Sequence, residues 1–501
     1  MKLPIVGGTY LSPSADTNFQ RTVNMFPMVA NKAAEIGAEI GTEKVTMGSS
    51  LVPAPGLELL TELEDGDEIR GILTTDDAVY VVCGPQFYKL TLNQETGDLL
   101  SVNLLHTISS SNSGPVSMAW NPTQVMLVDG TTTGYILDIA SDDLNPIADG
   151  DFLGGATVCF IDGYFLYSPL NSGFIHASAL NNGTSWNPLD IATAEGSPDN
   201  IQQLAVSRGE LWVIGERSTE IWYDNGAVTG LPFQPHQGMG LEIGCGAIRS
   251  VAQLERSLIW LDNRGIIVQS QPAAFIRSGS TTFELVAISD DSIQNQIANY
   301  GAIADAIGIS YVDRGHIFYQ ITFPSVRKTW LYDSATKIWT ERTSYDPVTE
   351  EESYHRAHYQ ARIGLHNIVG GSDSSKLYLL TATALEDDGE PIHRERITTN
   401  FALEGRLMEV SRLQIRITTG LGPVTGTGSD PKISMQYTND AGHTWSDPVE
   451  RSMGPTGHYA LPIIWNRLGS GREWAFRFTI SEPIEFSIVD AYIQISEPEE
   501  E

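Results

Sequence analysis

Short apolar runs broken by glycine, proline and aspartate recur along most of the chain. Pairs of such runs begin near Val79 (VYVVCGPQFYKLT), Thr123 (TQVMLVDGTTTGYILDI), Val158 (VCFIDGYFLYSPLNSGFIHAS) and Glu210 (ELWVIGERSTEIWYDNG). They return near Ser257 (SLIWLDNRGIIVQS), His316 (HIFYQITFPSVRKTWLYDS) and Ala361 (ARIGLHNIVGGSDSSKLYLLT). Each unit reads as strand, Gly- or Asp-containing turn, strand. Successive starts lie 35 to 59 residues apart with a mean of 47, and hairpins at such a period are the signature of propeller blades. Radial repetition also shields the edge of each sheet behind its neighbour. Seven hairpins predict an all-β chain built on a β-propeller of about six or seven blades, with a long β-sandwich array as the alternative.

One segment departs from this texture. In SDDSIQNQIANYGAIADAIG, Ile293, Ile297 and Tyr300 share a helical face, and Ser289, Asp290 and Asp291 can cap its start. This predicts one short helix over about 291–302, covering a sheet edge or the outside of a blade. After residue 390, RLQIRITTG, KISMQYTND, REWAFRFTI and FSIVDAYIQIS alternate apolar and polar positions, as half-exposed antiparallel strands do. The expected division is an N-terminal arm (1–57), a β-propeller (58–391), a β-sandwich or jelly-roll-like domain (392–496) and an acidic tail (497–501).

Composition narrows the function. Acidic residues outnumber basic ones 62 to 30, for a net charge of −32. That argues against gripping nucleic acid, because each neutralised phosphate needs a cation. Of the 30 cations 22 are arginine, so positive charge is scarce and expected in specific pairs. Cys83, Cys159 and Cys245 are far apart and form no CxxC pair, which fits buried thiols rather than a disulfide framework or a zinc site. No apolar run reaches the roughly 18 residues of a membrane span, and the opening MKLPIVGGTYLSPSAD does not read as a signal peptide. The expectation is a soluble protein made in a reducing cytoplasm.

Catalytic signatures are missing from the sequence: there is no GxxxxGK[ST], HExxH or GxSxG. His355, His358 and His366 are close in sequence but lack a carboxylate at fixed spacing, so no metal site is predicted. Carboxylates are so abundant that any chosen glycosidase pair reflects composition alone. The reading is no catalytic residue, no cofactor and no metal. TNDAGHTW at 438–445 resembles the Asp-box, [ST]-x-D-x-G-x-T-W, of sialidases and other β-proteins. There Asp440 can accept from turn amides, Gly442 can take positive φ, and Thr444 and Trp445 complete a structural hairpin.

Read for family, the chain resembles the packaged-DNA stabilisation proteins of short-tailed bacteriophages, which form the tail hub or nozzle. The likeness is carried by VNMFP (23–27), LVPAPGL (51–57), IRGILTTDDAVYVVCGPQFYKL (69–90), GPVSMAW (114–120), STEIWYD (218–224), SIQNQIANY and GHIFYQITFPSVRKTWLYDSATKIWTER (315–342). The closing strands from IIWNRLG to AYIQI are similar in texture. The insertion at about 31–50 and the acidic tail depart from the family pattern.

The resemblance implies a non-enzymatic virion protein of the phage tail, assembled in the host cytoplasm as a homohexamer. It would sit below the portal and the head-to-tail adaptor ring, retain packaged DNA, dock tail fibres or spikes and a plug or needle, and pass double-stranded DNA during ejection without specific binding. The acidity fits a conduit, and equally a soluble assembly protein. Candidate channel-facing acids are Glu62, Glu64, Asp65, Asp67, Glu68, Glu386, Asp387 and Asp388. The competing readings are a sialidase-like and a glycan-binding β-propeller.

Overall fold

The computed structural model describes all residues except 13–18, 30–48, 65–66, 112, 195–198, 228, 272–283, 347–350, 404, 419, 460 and 497–501. Most of the insertion and the whole acidic tail therefore lie outside the described residues. The rest is almost entirely antiparallel β-structure.

Seven four-stranded blades stand around one axis, five of them separate sheets and two of them parts of larger sheets. Blade 1 runs Ile69–Thr74, Val79–Cys83, Gln86–Leu92 and Leu99–Thr107 from the axis outward, and blades 2 to 5 repeat that order. Their inner strands are Ser117–Trp120, Gly155–Ile161, Ile201–Ser207 and Ala252–Leu254. Blade 6 is Ile307–Asp313, His316–Phe323, Lys328–Asp333 and Ile338–Glu341. Blade 7 takes Tyr359–Ile363, His366–Gly370 and Lys376–Thr381 from the late propeller. Its outermost strand, Gly56–Glu62, comes from the N-terminal region and pairs with Lys376–Thr381. All seven hairpins read from the sequence fall in successive blades.

The second strand of each blade explains why the apolar runs are continuous. Val79–Cys83 and Ser257–Leu261 are buried at every position. Blades stack face to face, so a central strand meets apolar neighbours on both sides and does not alternate. Outer strands recover polarity where one face meets solvent.

The helix spans Asp291–Ala298, ending four residues earlier than expected. Asp290 caps it, its carboxylate accepting from the Ile293 amide at 2.9 Å. Ile293 and Ile297 are buried with Ile259 and Leu261 of blade 5 and Tyr319, Ile321 and Trp330 of blade 6. The helix thus fills a wedge between two blades.

The largest departure from the sequence reading is the N-terminus. Residues 1–57 were expected as an arm; their described parts are strands woven into both halves of the molecule. Lys2–Leu3 pairs with Ile488–Ser496, and Met25–Val29 and Ser49–Pro53 extend that same sandwich sheet. Phe19–Val23 bridges the outer strand of blade 6 to Arg394–Ile397. That link makes one continuous eleven-stranded sheet from the propeller into the sandwich. Leu3, Ile5, Met25 and Leu51 join the sandwich core, whereas Phe26, Val52 and Leu57 join the core of blades 6 and 7. The pairing is invisible to local periodicity because partners lie hundreds of residues apart.

Candidate functional site

Three features of the molecule carry chemistry: the axis of the propeller, the seam between its two halves and the distribution of acids. The axis is formed by the inner strands, which abut their neighbours from blade 5 through blades 6, 7 and 1 to blade 4. They enclose a cavity of about 690 Å³. Its wall includes Ser117, Thr157, Gln202, Gln203, Arg249 and His358. Among the described residues no group of three or more His, Cys, Asp or Glu is placed to hold a metal ion.

The histidines of YHRAHYQ diverge. His355 is fully buried and meets the Arg342 guanidinium through Nε2 at 2.8 Å. Burial, helped by Arg342, drives its pKa well below the ordinary value. His358, two percent exposed, faces the axis, and burial pulls its pKa down to about 3. Both are neutral imidazoles at physiological pH. His366 lies at the surface against the Glu95 carbonyl.

At the seam, Arg21 on Phe19–Val23 reaches both neighbours. Its guanidinium donates through Nε and Nη2 to the two carboxylate oxygens of Glu341 at 2.8 and 2.7 Å, and through Nη1 to Glu395 at 3.1 Å. Arg477 closes on the other oxygen of Glu395 at 3.4 Å, and Lys328 lies 3.5 Å from Glu341. Burial disfavours the Glu341 carboxylate, but Arg21 and Lys328 outweigh it and hold its pKa below 4.5. Glu395 goes the other way, because burial outweighs Arg21 and Arg477. A bidentate arginine–carboxylate pair fixes orientation as well as charge, so blade 6, the N-terminal strand and the sandwich meet in one geometry.

The scarce arginines were expected in specific pairs, yet four of the most buried bind mainly uncharged acceptors. Arg70 donates to the carbonyls of Gly84, Ser111, Ser113 and Gly114. Arg342 binds the Pro55 carbonyl and the Asn24 side chain. Arg394 donates to the carbonyls of Leu385, Ile392 and Glu482. Arg396 donates to the carbonyls of Ile5 and Gly8 and to Thr22 and Gln20. Burial lowers the Arg396 pKa to about 9, which leaves it charged at neutral pH. A five-donor fork can satisfy several loop carbonyls that would otherwise be orphaned, and only a cation of this shape does so. The sequence held a faint signal at one of them: Arg70 interrupts the apolar strand run IRGIL.

The Asp-box folds as its spacing predicts. Thr444 donates through its amide and hydroxyl to the Asp440 carboxylate at 2.9 and 2.6 Å, and Thr438 donates at 2.7 Å. These bonds hold the Asp440 pKa down to about 2. Gly442 has φ +94°, and the Trp445 ring lies under the Arg477 guanidinium at 4.1 Å. The hairpin thereby touches the seam through Arg477.

The candidate acids are dispersed. Glu62 ends the outer strand of blade 7 and Glu64 follows it, both exposed, and Asp67 and Glu68 precede the inner strand of blade 1. Glu68 accepts from the Gly114 amide at 3.1 Å. Asp65 lies outside the described residues. Glu386, Asp387 and Asp388 run beside Gly56–Glu62 at the outer edge of blade 7. Asp387 is 2% exposed and accepts from Ser344, and Asp388 pairs with Lys376 at 2.7 Å. These two are turned to partners within the chain. Cys83, Cys159 and Cys245 are buried and form no disulfide, and burial pushes the Cys159 and Cys245 thiols up to about 12 and 11.

Fold and site together define a seven-bladed β-propeller fused to a β-sandwich through a shared N-terminal segment. The family model described as "Bacteriophage P22 Gp10, beta-propeller" matches residues 1–385, and that described as "Bacteriophage P22 Gp10, beta-sandwich" matches residues 393–496. The chain belongs to the bacteriophage P22 Gp10 family of packaged-DNA stabilisation proteins, structural components of the phage tail. Among solved structures it is similar to the β-propeller domain of Cps50 (Swd1) from Myceliophteria thermophila, at 6% identity and TM-score 0.42, covering 64% of this chain and 98% of that one. It is also similar to U3-55K, at 12% identity and TM-score 0.40 over 65% and 99% of the two chains. The designed protein Ika8 gives 12% identity and TM-score 0.37 over 64% and 99%. No curated protein matches the chain.

Proposed function

We propose that this chain is a subunit of the tail nozzle, assembling as a hexamer that continues the DNA channel below the portal and adaptor rings. The observation that carries the reading is family membership along both halves of the chain. The charge supports it: six copies of a chain at −32 carry −192. Such a field repels duplex DNA, so a genome held in the passage slides without being gripped, whereas a cationic wall would hold it by counterion release. Glu62, Glu64, Asp67, Glu68 and Glu386 are the candidate acids, among the described residues, left open to a lumen. Other faces of the ring would dock the adaptor, a fibre or spike and a plug or needle.

The rigid seam suits this role. A nozzle must keep its shape under the pressure of packaged DNA, and the two halves share a sheet and a buried charge network. The test is a native mass measurement of the purified chain with its adaptor ring, followed by imaging of the assembly. Six copies around an acidic passage are expected. A monomer in the intact particle, or a passage lined by arginine, would overturn the proposal.

A further inference from the structure

One face of the propeller is electrically divided. In every blade the first strand turns into the second at the same end of the axis, and bonds between neighbouring blades tie these ends into one ring. Arg208 Nε donates to the Arg256 carbonyl at 2.8 Å between blades 4 and 5, and the Ser310 hydroxyl donates to the Gln253 carbonyl at 2.6 Å between blades 5 and 6. Asn367 donates to the Val312 carbonyl at 2.8 Å between blades 6 and 7, and His366 Nε2 meets the Glu95 carbonyl at 3.2 Å between blades 7 and 1. Lys89 pairs with Asp142 at 2.7 Å, and the Gly183 amide donates to the Gln124 side chain at 2.9 Å, which carries the ring through blade 2 to blade 3.

The turns at this end sort by sign. Blades 1 to 3 present the exposed acids Asp76, Asp77 and Asp162 on their inner hairpins and Glu95, Asp138 and Asp143 on their outer ones. Blades 4 to 7 present Arg208, Arg256, Arg314 and Arg362 at the inner turns, all exposed. Glu255 and Asp313 offset two of these charges, and Arg314 is already paired with Asp313. Among the described residues no salt bridge engages Arg208, Arg256 or Arg362; Arg208 and Arg362 donate through Nε to backbone carbonyls. In a chain with 62 acids and 30 bases, three arginines on neighbouring turns without a carboxylate are out of keeping with the rest. Each offers an open fork to an acid on another molecule.

A face that is acidic over one arc and basic over the other is complementary to itself turned over. A two-fold axis lying in the face and passing through blade 7 brings blades 1, 2 and 3 of one copy over blades 6, 5 and 4 of the other, so every acidic blade meets a basic one. We infer that this face of the propeller is a docking surface for a second copy of the chain, related by that two-fold, with Asp162 set against Arg208 and Asp76 against Arg314. Each pairing occurs twice, and the opposed charges fix the register. Blade 7 meets its own copy, where Leu365, 80% exposed, supplies apolar contact. The one like-charge meeting, Arg362 with its copy, falls at the same axis beside the Glu95 turn of blade 1. Duplex DNA suits the face less well, because phosphates laid along the arginines would run onto the acidic arc. The inference concerns the free chain and stands apart from the nozzle reading.

The test is sedimentation velocity of the full-length chain over a concentration series, at about 0.05 M and about 0.5 M salt, since exposed charge pairs weaken as the screening length shortens. A monomer–dimer equilibrium is expected, weaker at high salt. Asp162 and Arg208 hold the same left-handed turn position, φ +50° and +59°, each followed by glycine, so either residue suits either turn. Arg208→Asp alone and Asp162→Arg alone should each weaken the dimer about tenfold, because each change spoils two contacts. The double exchange, Asp162→Arg with Arg208→Asp, should restore it, a recovery that a folding defect would not give. A short DNA duplex added to the dimer should leave it intact. A monomer at every concentration, a dimer indifferent to Arg208→Asp, a double exchange that does not recover, or a duplex that displaces the second copy overturns the inference.

Discussion

Blades 1 to 5 and the blade 6–7 region reach the same architecture by different routes. In the first five, each sheet is made from one stretch of chain, strand after strand, and its register is set by tight turns. Blades 6 and 7 cannot be finished locally. Blade 7 needs Gly56–Glu62, and the outer strand of blade 6 is continued by Phe19–Val23 into the sandwich. The chain's first residues thus close the ring and fasten the second domain in one operation. Loop closure over such separations is entropically expensive and is met only when many contacts form together. The local blades supply a repeating core; the stitched region supplies the single global geometry.

Removing the stitch should break this comparison most severely. A chain beginning at residue 63 lacks the closing strand of blade 7 and strands from both sandwich sheets. Its buried partners, including Ile415, Ile488 and Tyr378, would lose Leu51 and Leu57 as neighbours. We expect loss of cooperative thermal unfolding for the blade 6–7 and sandwich region, with protease-resistant fragments confined to blades 1–5. A truncated chain that melts like the full one would refute the stitching role.

Arg396→Met should be the most damaging single change. The side chain fits by length but leaves the Ile5 and Gly8 carbonyls without their donor, at an expected loss of about 1–3 kcal/mol for each acceptor left unsatisfied. The contrast is Arg416→Gln. That arginine pairs with Asp490 while its side chain is 61% exposed, and we expect under about 1 kcal/mol. Denaturant midpoints of both variants check the pair, and similar losses would contradict the assignment.

This difference also marks what the sequence could and could not disclose. Seven hairpins, the Asp-box turn and the helix were legible, because periodicity, turn residues and caps act over a few positions. VYVVC and SLIWL announce buried central strands through continuous apolarity. Lys2–Leu3 and Phe19–Val23 carry no such local mark, since their pairing is with residues near the other end of the chain. The site was legible only in fragments. His358 drew notice as half of a histidine pair, but the fold sends His355 to Arg342 and His358 to the axis. Arg249 sits in a loop with no motif, and only the closing of seven inner strands brings it beside Tyr359.

Acid should sharpen the comparison at the seam. Glu341 has a folded pKa below 4.5, so its contribution is complete above that pH and is lost as pH falls through the folded value. Glu395 has a raised pKa, so its charged form opposes folding and its protonation on the way down relieves that cost. Stability of the stitched region should hold or rise slightly toward pH 4.5 and fall below it. Glu341→Gln should cost about 2 kcal/mol at pH 7, the scale of hydrogen bonds to a charged group, and should flatten the acid limb. Unfolding midpoints measured at intervals from pH 7 to 3 give the readout, and an unchanged acid limb in the variant would count against this account.

The smallest effect is expected at the Asp-box, which lies at the surface but leans on the seam through Arg477 and Trp445. Gly442 has φ +94°, a conformation that strains any residue with a Cβ, although no atom lies within 4 Å of the place an added methyl would occupy. Gly442→Ala should therefore cost about 1 kcal/mol through backbone strain alone. Asp440→Asn keeps the shape of the acceptor and loses its charge, and because the carboxylate is exposed the change should be smaller still. If the turn is a local hairpin device, both variants will leave the unfolding of blades 1–5 untouched and lower only the sandwich transition. A shift of the whole molecule by either one would mean that the hairpin, through the Arg477 stack, belongs to the stitched region and not to the surface.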